Sequence, residues 1–179
     1  MGRKTLIVYS SGYGATREVA ETIGNILQHD DTFAVDMQMI DTPANITSYD
    51  NIIIGSSIRA DQLLANTRDF LAANRYSLKG KHLALFILCL TASTPEGQKE
   101  IIQTFSEQLK AKYPELKFDS ITAFGGKIDF EKLNPVMQNL IRQVFKKTGV
   151  KADGSIDSRN WASVVEWANQ LKLQFWNHT

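Results

Sequence analysis

Apolar residues gather in five short runs along the chain, at positions 5–9, 33–39, 51–55, 82–89 and 118–124. In three of them (Leu6-Ile7-Val8, Ile52-Ile53-Ile54 and the stretch 83–88) they are continuous instead of alternating, as strands covered on both faces require. Those three are expected at the centre of a sheet. Helical stretches lie between the runs. Residues 17–27 have helical periodicity, and Thr94-Pro95-Glu96 puts a capping hydroxyl, a first-turn proline and an acid at the start of a helix reaching about Lys112. Alternating strands and helices imply right-handed crossovers and a parallel sheet. The expected fold is α/β, a doubly wound five-stranded parallel sheet of order 2-1-3-4-5. Its ligand crevice then lies outside the carboxyl ends of strands 1, 3 and 4.

The last third of the chain contains one helix more than such a sheet needs. Residues 160–176 supply the closing helix, with Asp157 and Ser158 as capping candidates. Residues 131–147 are therefore an extra helix after strand 5. Its apolar residues Leu133, Val136, Met137, Leu140, Ile141, Val144 and Phe145 fall on one stripe, with Arg142, Lys146 and Lys147 off it. Packing on the domain's own flank, a homodimer contact, a substrate lid and a peripheral membrane contact are the readings left open. Trp161, Trp167 and Trp176 read as packing residues of the closing helix.

A chain of 179 residues, 43% hydrophobic, is long enough for a single domain over 1–179 with a full core. The formal net charge of +1 and the scattered cations give no field for nucleic acid. Cys89 is the lone cysteine, so no internal disulfide forms, and His29, His82 and His178 lack metal-ligand spacing. No metal is expected. The N-terminus has no signal-peptide apolar region, no run approaches the ~20 apolar residues of a membrane span, and Gly2 lacks the downstream hydroxyl of a myristoylation signal. The expected location is the cytoplasm, or the inner face of the membrane if residues 131–147 meet a bilayer.

The chemistry concentrates between the first strand and the first helix. Ser10, Ser11, Gly12, Tyr13, Gly14, Ala15 and Thr16 form a small-residue loop whose N–H groups, hydroxyls and helix dipole converge on an anion. A nucleotide-triphosphatase loop is excluded because Ala15-Thr16 follows Gly14 where a lysine is required. A dinucleotide fingerprint is excluded by Arg17, which stands at the third glycine position. A single phosphomonoester is the best guest. The loops at 56–61 and 90–94, at the other two strand ends, are also rich in small or hydroxyl residues. Asp61 and Asp129 lie on rim loops with no spacing that pairs them, so no catalytic base is assigned.

Tyr9-Ser10-Ser11-Gly12-Tyr13-Gly14-Ala15-Thr16 resembles the FMN-phosphate loop of the flavodoxin family, with Tyr13 in place of the usual threonine. Thr16-Arg17-Glu18-Val19-Ala20 and Ile54-Gly55-Ser56-Ser57-Ile58-Arg59 look like segments of one branch, the menaquinone-dependent protoporphyrinogen dehydrogenases of haem biosynthesis. The similarity covers nearly the whole chain. The resemblance implies FMN as cofactor, held by residues 10–16 at the phosphate. Ser56, Ser57, Ile58 and Arg59 would flank the ring, Arg59 at its pyrimidine edge, with Cys89, Leu90 and Thr91 on the other side. It further implies an FMN-dependent dehydrogenase that oxidises a small reduced substrate, protoporphyrinogen in that branch, with a quinone or redox protein as acceptor. Carrier flavodoxins are usually acidic and sandwich the flavin between aromatic rings. This chain is near neutral and has no ring in the second or third loop. An electron carrier without its own substrate and a flavin-free scaffold are the competing readings.

Overall fold

The computed structural model describes residues 3–28, 33–148 and 155–177. In chain order the elements are β1 (Arg3–Tyr9), α1 (Ala15–Gln28), β2 (Phe33–Met39), β3 (Asn51–Arg59), β4 (Gln62–Leu63), α2 (Ala65–Leu78), β5 (His82–Leu88), α3 (Pro95–Lys112), β6 (Phe118–Phe124), β7 (Lys127–Ile128), α4 (Pro135–Thr148), β8 (Ile156–Asp157) and α5 (Trp161–Asn177). The five long strands lie parallel in the order β2-β1-β3-β5-β6. This is the doubly wound order expected from the five apolar runs.

The continuous apolar runs serve two cores. Leu6, Val8, Ile52, Ile54, Leu83, Leu85 and Ile87 pack on one face with Leu71, Leu78, Phe105 and Leu109 of α2 and α3. The alternate residues Ile7, Ile53, Ala84, Phe86 and Leu88 pack on the other with Val19, Ile23, Val164, Leu171 and Phe175 of α1 and α5. Both faces being covered, neither set can be polar. The Phe86 ring fills the space above Gly55, where a Cβ would stand 2.2 Å from it. Trp167 packs edge-on against Phe86 and Phe124, and its indole N–H donates to Ser120 Oγ at 2.8 Å.

Several expected boundaries move. β3 runs on through Ser56, Ser57 and Ile58 to Arg59 and turns back through Ala60 and Asp61, at φ 49° and 55°, into β4. β5 stops at Leu88, leaving Cys89 just outside the strand. The extra helix begins at Pro135, not at residue 131, because Asn134 Oδ1 accepts the Met137 N–H at 2.9 Å and proline takes the first helical position. Along it Val136 is 77% exposed, Met137 and Ile141 are half-buried and Arg142 is exposed. The side chains of Leu140, Val144, Phe145, Lys146, Lys147 and Trp176 lie outside those described. α5 is capped by Asn160, whose Oδ1 accepts the Ser163 N–H; Asp157 and Ser158 are used elsewhere. Trp161 is 38% exposed, and the guanidinium carbon of Arg159 lies 4.6 Å from its ring centroid.

Candidate functional site

A cleft of about 350 Å³ opens at the carboxyl ends of β1, β3 and β5. Ten of the candidate cofactor residues line it: Ser11, Gly12, Tyr13, Ala15, Thr16, Ser57, Ile58, Arg59, Cys89 and Leu90. Its size falls within the range of small-molecule sites, and its walls are mostly apolar apart from the first loop.

That loop is arranged as an anion cradle. Ser11 Oγ accepts the Gly14 N–H at 2.9 Å, which leaves the hydroxyl proton of Ser11 free to donate. Gly14, at φ 93°, turns the chain into α1 with open space where a Cβ would be. Its carbonyl accepts from Glu18 N, so the N–H groups of Ala15, Thr16 and Arg17 precede any intrahelical partner. Two hydroxyls and a helix N-terminus form a donor set with the chemistry of a phosphate monoester site. Ser10 is different. Its buried hydroxyl donates to Asn66, whose amide in turn donates to Asp41 Oδ2, so Ser10 anchors the loop to α2 and does not line the cleft.

The second and third loops divide in the same way. Ser57 and Ile58 line the cleft, whereas Ser56 is buried behind them. Its hydroxyl donates to Ser57 O and accepts from Leu64 N and Thr67 Oγ1, fastening the β3–β4 hairpin to α2. Opposite, Leu88, Cys89 and Leu90 line the cleft, while Thr91 is exposed and its carbonyl sits against α3, where a Cβ on Gly97 would meet it at 1.9 Å. Burial pushes the Cys89 thiol up, and hydrogen bonds from the Ala92 and Thr91 backbone only partly oppose it. That direction disfavours the thiolate, the nucleophilic form.

The remaining wall comes from beyond the loops after the three central strands, and it includes Asp129, expected on a rim loop, and part of the apolar stripe for which a substrate lid was one reading. Gly126, Lys127, Ile128 and Asp129 follow β6, and Leu133, Met137 and Ile141 come from the turn before α4 and from α4 itself. The signal for it was Gly125-Gly126. Ser158 O lies 2.0 Å from where a Cβ on Gly125 would be, and both Ser158 N and Ser158 Oγ donate to Gly126 O, so only glycine admits this strap. The β7–β8 ribbon it starts is tied to α1 by charge. Arg159, its side chain 2% exposed, donates to both carboxylate oxygens of Asp157 (2.8 and 2.6 Å), to Glu18 Oε2 (2.7 Å) and to Ala15 O (3.2 Å). Lys127 Nζ reaches Glu18 Oε1 at 3.2 Å. The hydrogen bond from Arg159 holds the Asp157 carboxyl below the usual range. Burial pushes the Glu18 carboxyl up, but Arg159 and Lys127 together outweigh it and hold it low. Among the described residues no His, Cys, Asp and Glu cluster has the makings of a metal site.

The flavodoxin domain family matches residues 6–155. Among characterised proteins, the chain is similar to protoporphyrinogen IX dehydrogenase (quinone) of Escherichia coli K12, at 22% identity over 172 residues, or 94% of each chain. Among solved structures, it resembles oxidised flavodoxin 1 of Bacillus cereus, with a TM-score of 0.56, 21% identity and 98% and 99% of the two chains covered. Two-electron-reduced flavodoxin of Megasphaera elsdenii gives a TM-score of 0.55 at 20% identity over 66% and 84%. The fold, the match along most of the chain and the phosphate-shaped cradle agree. The chain belongs to the flavodoxin domain family, whose cofactor is FMN.

Proposed function

We propose that the protein is an FMN-dependent oxidoreductase that oxidises protoporphyrinogen IX and passes the electrons to a quinone. The observation that carries this reading is the fourth wall of the cleft. α4 brings Met137 and Ile141, and the turn before it Leu133, to the cavity that also contains the phosphate cradle. A carrier that meets its partners at an exposed flavin edge needs no such helix, whereas an enzyme for lipophilic molecules needs an apolar surface beside its cofactor. The relative from Escherichia coli, named as a quinone-linked dehydrogenase and matched over 94% of both chains, supports the same reading.

In this assignment Ser11, Gly12, Tyr13, Gly14, Ala15 and Thr16 hold the FMN phosphate, with Ser10 fixing the loop. Ser57 and Ile58 bound one side of the ring and Cys89 and Leu90 the other, with Ser56 and Thr91 supporting them from behind. FMN supplies the redox chemistry when bound. The chain positions it, and Ile58, Leu64, Leu88 and Leu90 keep water from it. Among the described residues no helix is long and apolar enough to cross a membrane.

Changing Met137 and Ile141 to glutamine tests the role of α4. Turnover with a lipid-borne quinone should fall by about tenfold, as expected when two apolar contacts worth roughly 1.5–3 kcal/mol each when fully buried are partly lost. FMN content and reduction by a chemical reductant should stay near wild type. Loss of folding or of flavin would make the helix part of the core, and unchanged quinone turnover would remove it from the acceptor site.

A further inference from the structure

We propose that Arg59 is the counter-cation of the FMN phosphate, reaching across the cleft from the end of β3 to the loop before α1. This rests on the assignment of residues 10–16 to the phosphate. The cradle itself offers neutral donors and a helix N-terminus, and an unpaired guanidinium beside it would add a charge-assisted contact to a phosphate dianion. The nearby cations are mostly committed. Arg17 is paired with Glu21 at 2.8 Å and is 63% exposed, Lys127 is paired with Glu18, and Arg159 is enclosed by Asp157 and Glu18. Among the described residues no carboxylate forms an ion pair with Arg59, which lines the cleft.

Its position fits the task. A Cβ on Gly12 would stand 3.9 Å from Arg59 Nη2, so the guanidinium hangs over the phosphate loop, at a residue with no side chain to obstruct it. The stem of Arg59 is fixed while its head is free. Arg59 pairs with Gln62 and Ile58 with Leu63, and the turn between them uses left-handed Ala60 and Asp61. The hairpin therefore presents the arginine from a rigid base, and the planar guanidinium can take two phosphate oxygens at once. This placement differs from the pyrimidine edge of the ring, where the resemblance put it, and the two have different consequences. A cation at the phosphate acts on FMN and not on riboflavin. A cation at the ring edge acts on both and on the flavin's potential.

The test is titration of the flavin-free full-length chain with FMN and with riboflavin, by quenching of flavin fluorescence, for wild type, Arg59→Met and Arg59→Lys. Arg59→Met should weaken FMN by at least about tenfold and riboflavin by less than about threefold, in line with loss of a hydrogen-bonded pair to a charged group. Arg59→Lys should recover part of the loss, and the wild-type preference for FMN should shrink as salt is raised. The midpoint potential of bound FMN, measured at saturating FMN, should be nearly the same in wild type and Arg59→Met, whereas a cation at the ring edge would shift it. Equal weakening of both flavins, a shifted potential, or FMN affinity unchanged in Arg59→Met would each overturn the proposal. If the wild type binds FMN no better than riboflavin, the phosphate loop assignment fails first, which separates the two outcomes.

Discussion

Replacing Ser11 and Thr16 together by alanine is expected to weaken FMN binding by more than about tenfold and leave riboflavin binding nearly unchanged. Each hydroxyl donates to a charged acceptor in the proposed site, and a hydrogen bond of that kind is worth roughly 1.5–3 kcal/mol. Ser11 carries a second task, since its Oγ accepts the Gly14 N–H at 2.9 Å and so shapes the loop from within. Thr16 is buried at the cleft in the first turn of α1. The two losses should therefore be felt together. Flavin fluorescence quenching measures both ligands, and a wild type that does not discriminate between them would sink the phosphate-loop assignment.

The second large effect concerns Arg159. Arg159→Met should lower stability by about 3 kcal/mol at neutral pH, because Asp157 and Glu18 lose the guanidinium that joins them. Breaking a buried pair costs about 3–5 kcal/mol, and the low end applies since these carboxylates remain 38% and 42% exposed. For a chain of this size that corresponds to a fall in Tm of roughly 6–12 °C. The pH dependence has a definite sign. Both carboxyls titrate below their ordinary values in the fold, so their contribution is complete above the ordinary carboxylate pKa and is lost as pH falls through the lowered folded-state values. The gap between wild type and Arg159→Met should narrow below about pH 4. A constant gap from neutral to acid pH would assign the loss to packing against Trp161 and Ala15 instead.

The sheet was legible because its signal is collective. Ile52-Ile53-Ile54 and residues 83–88 are apolar at every position, and only a strand buried on both faces demands that. The strand-to-helix turn at the cleft was legible for a similar reason, since Ser11, Gly12, Gly14 and Thr16 combine small size and hydroxyls in one place. Individual roles within the loops were not. Ser10 and Ser56 have the same character as their neighbours, yet each turns inward to hold α2, a choice made by the contacts of Asn66, 56 positions from Ser10, and Thr67, 11 from Ser56.

The β3–β4 hairpin was hidden because its turn uses Ala60 and Asp61 in a left-handed conformation with no glycine to announce it. Two local signals are present in the sequence. Asn134-Pro135 marks the start of α4 more sharply than the periodicity that extends to residue 131. Gly125-Gly126 marks the close approach of Ser158, just after β8, to the segment that enters the fourth wall. The Arg159 network could not be found from spacing, since it joins residues 141 positions apart through a fold that had first to exist.

In the proposed function electrons pass from protoporphyrinogen to a quinone on this chain. The most direct measurement is an anaerobic assay of the FMN-loaded protein with protoporphyrinogen IX and menaquinone, following porphyrin fluorescence and flavin absorbance together. The account predicts bleaching of the flavin by protoporphyrinogen alone, recovery of its colour on addition of menaquinone, and porphyrin formed over many turnovers only when both are present. A flavin that protoporphyrinogen leaves oxidised, but that a reductase protein reduces and a second protein reoxidises, would contradict it and make the chain an electron carrier.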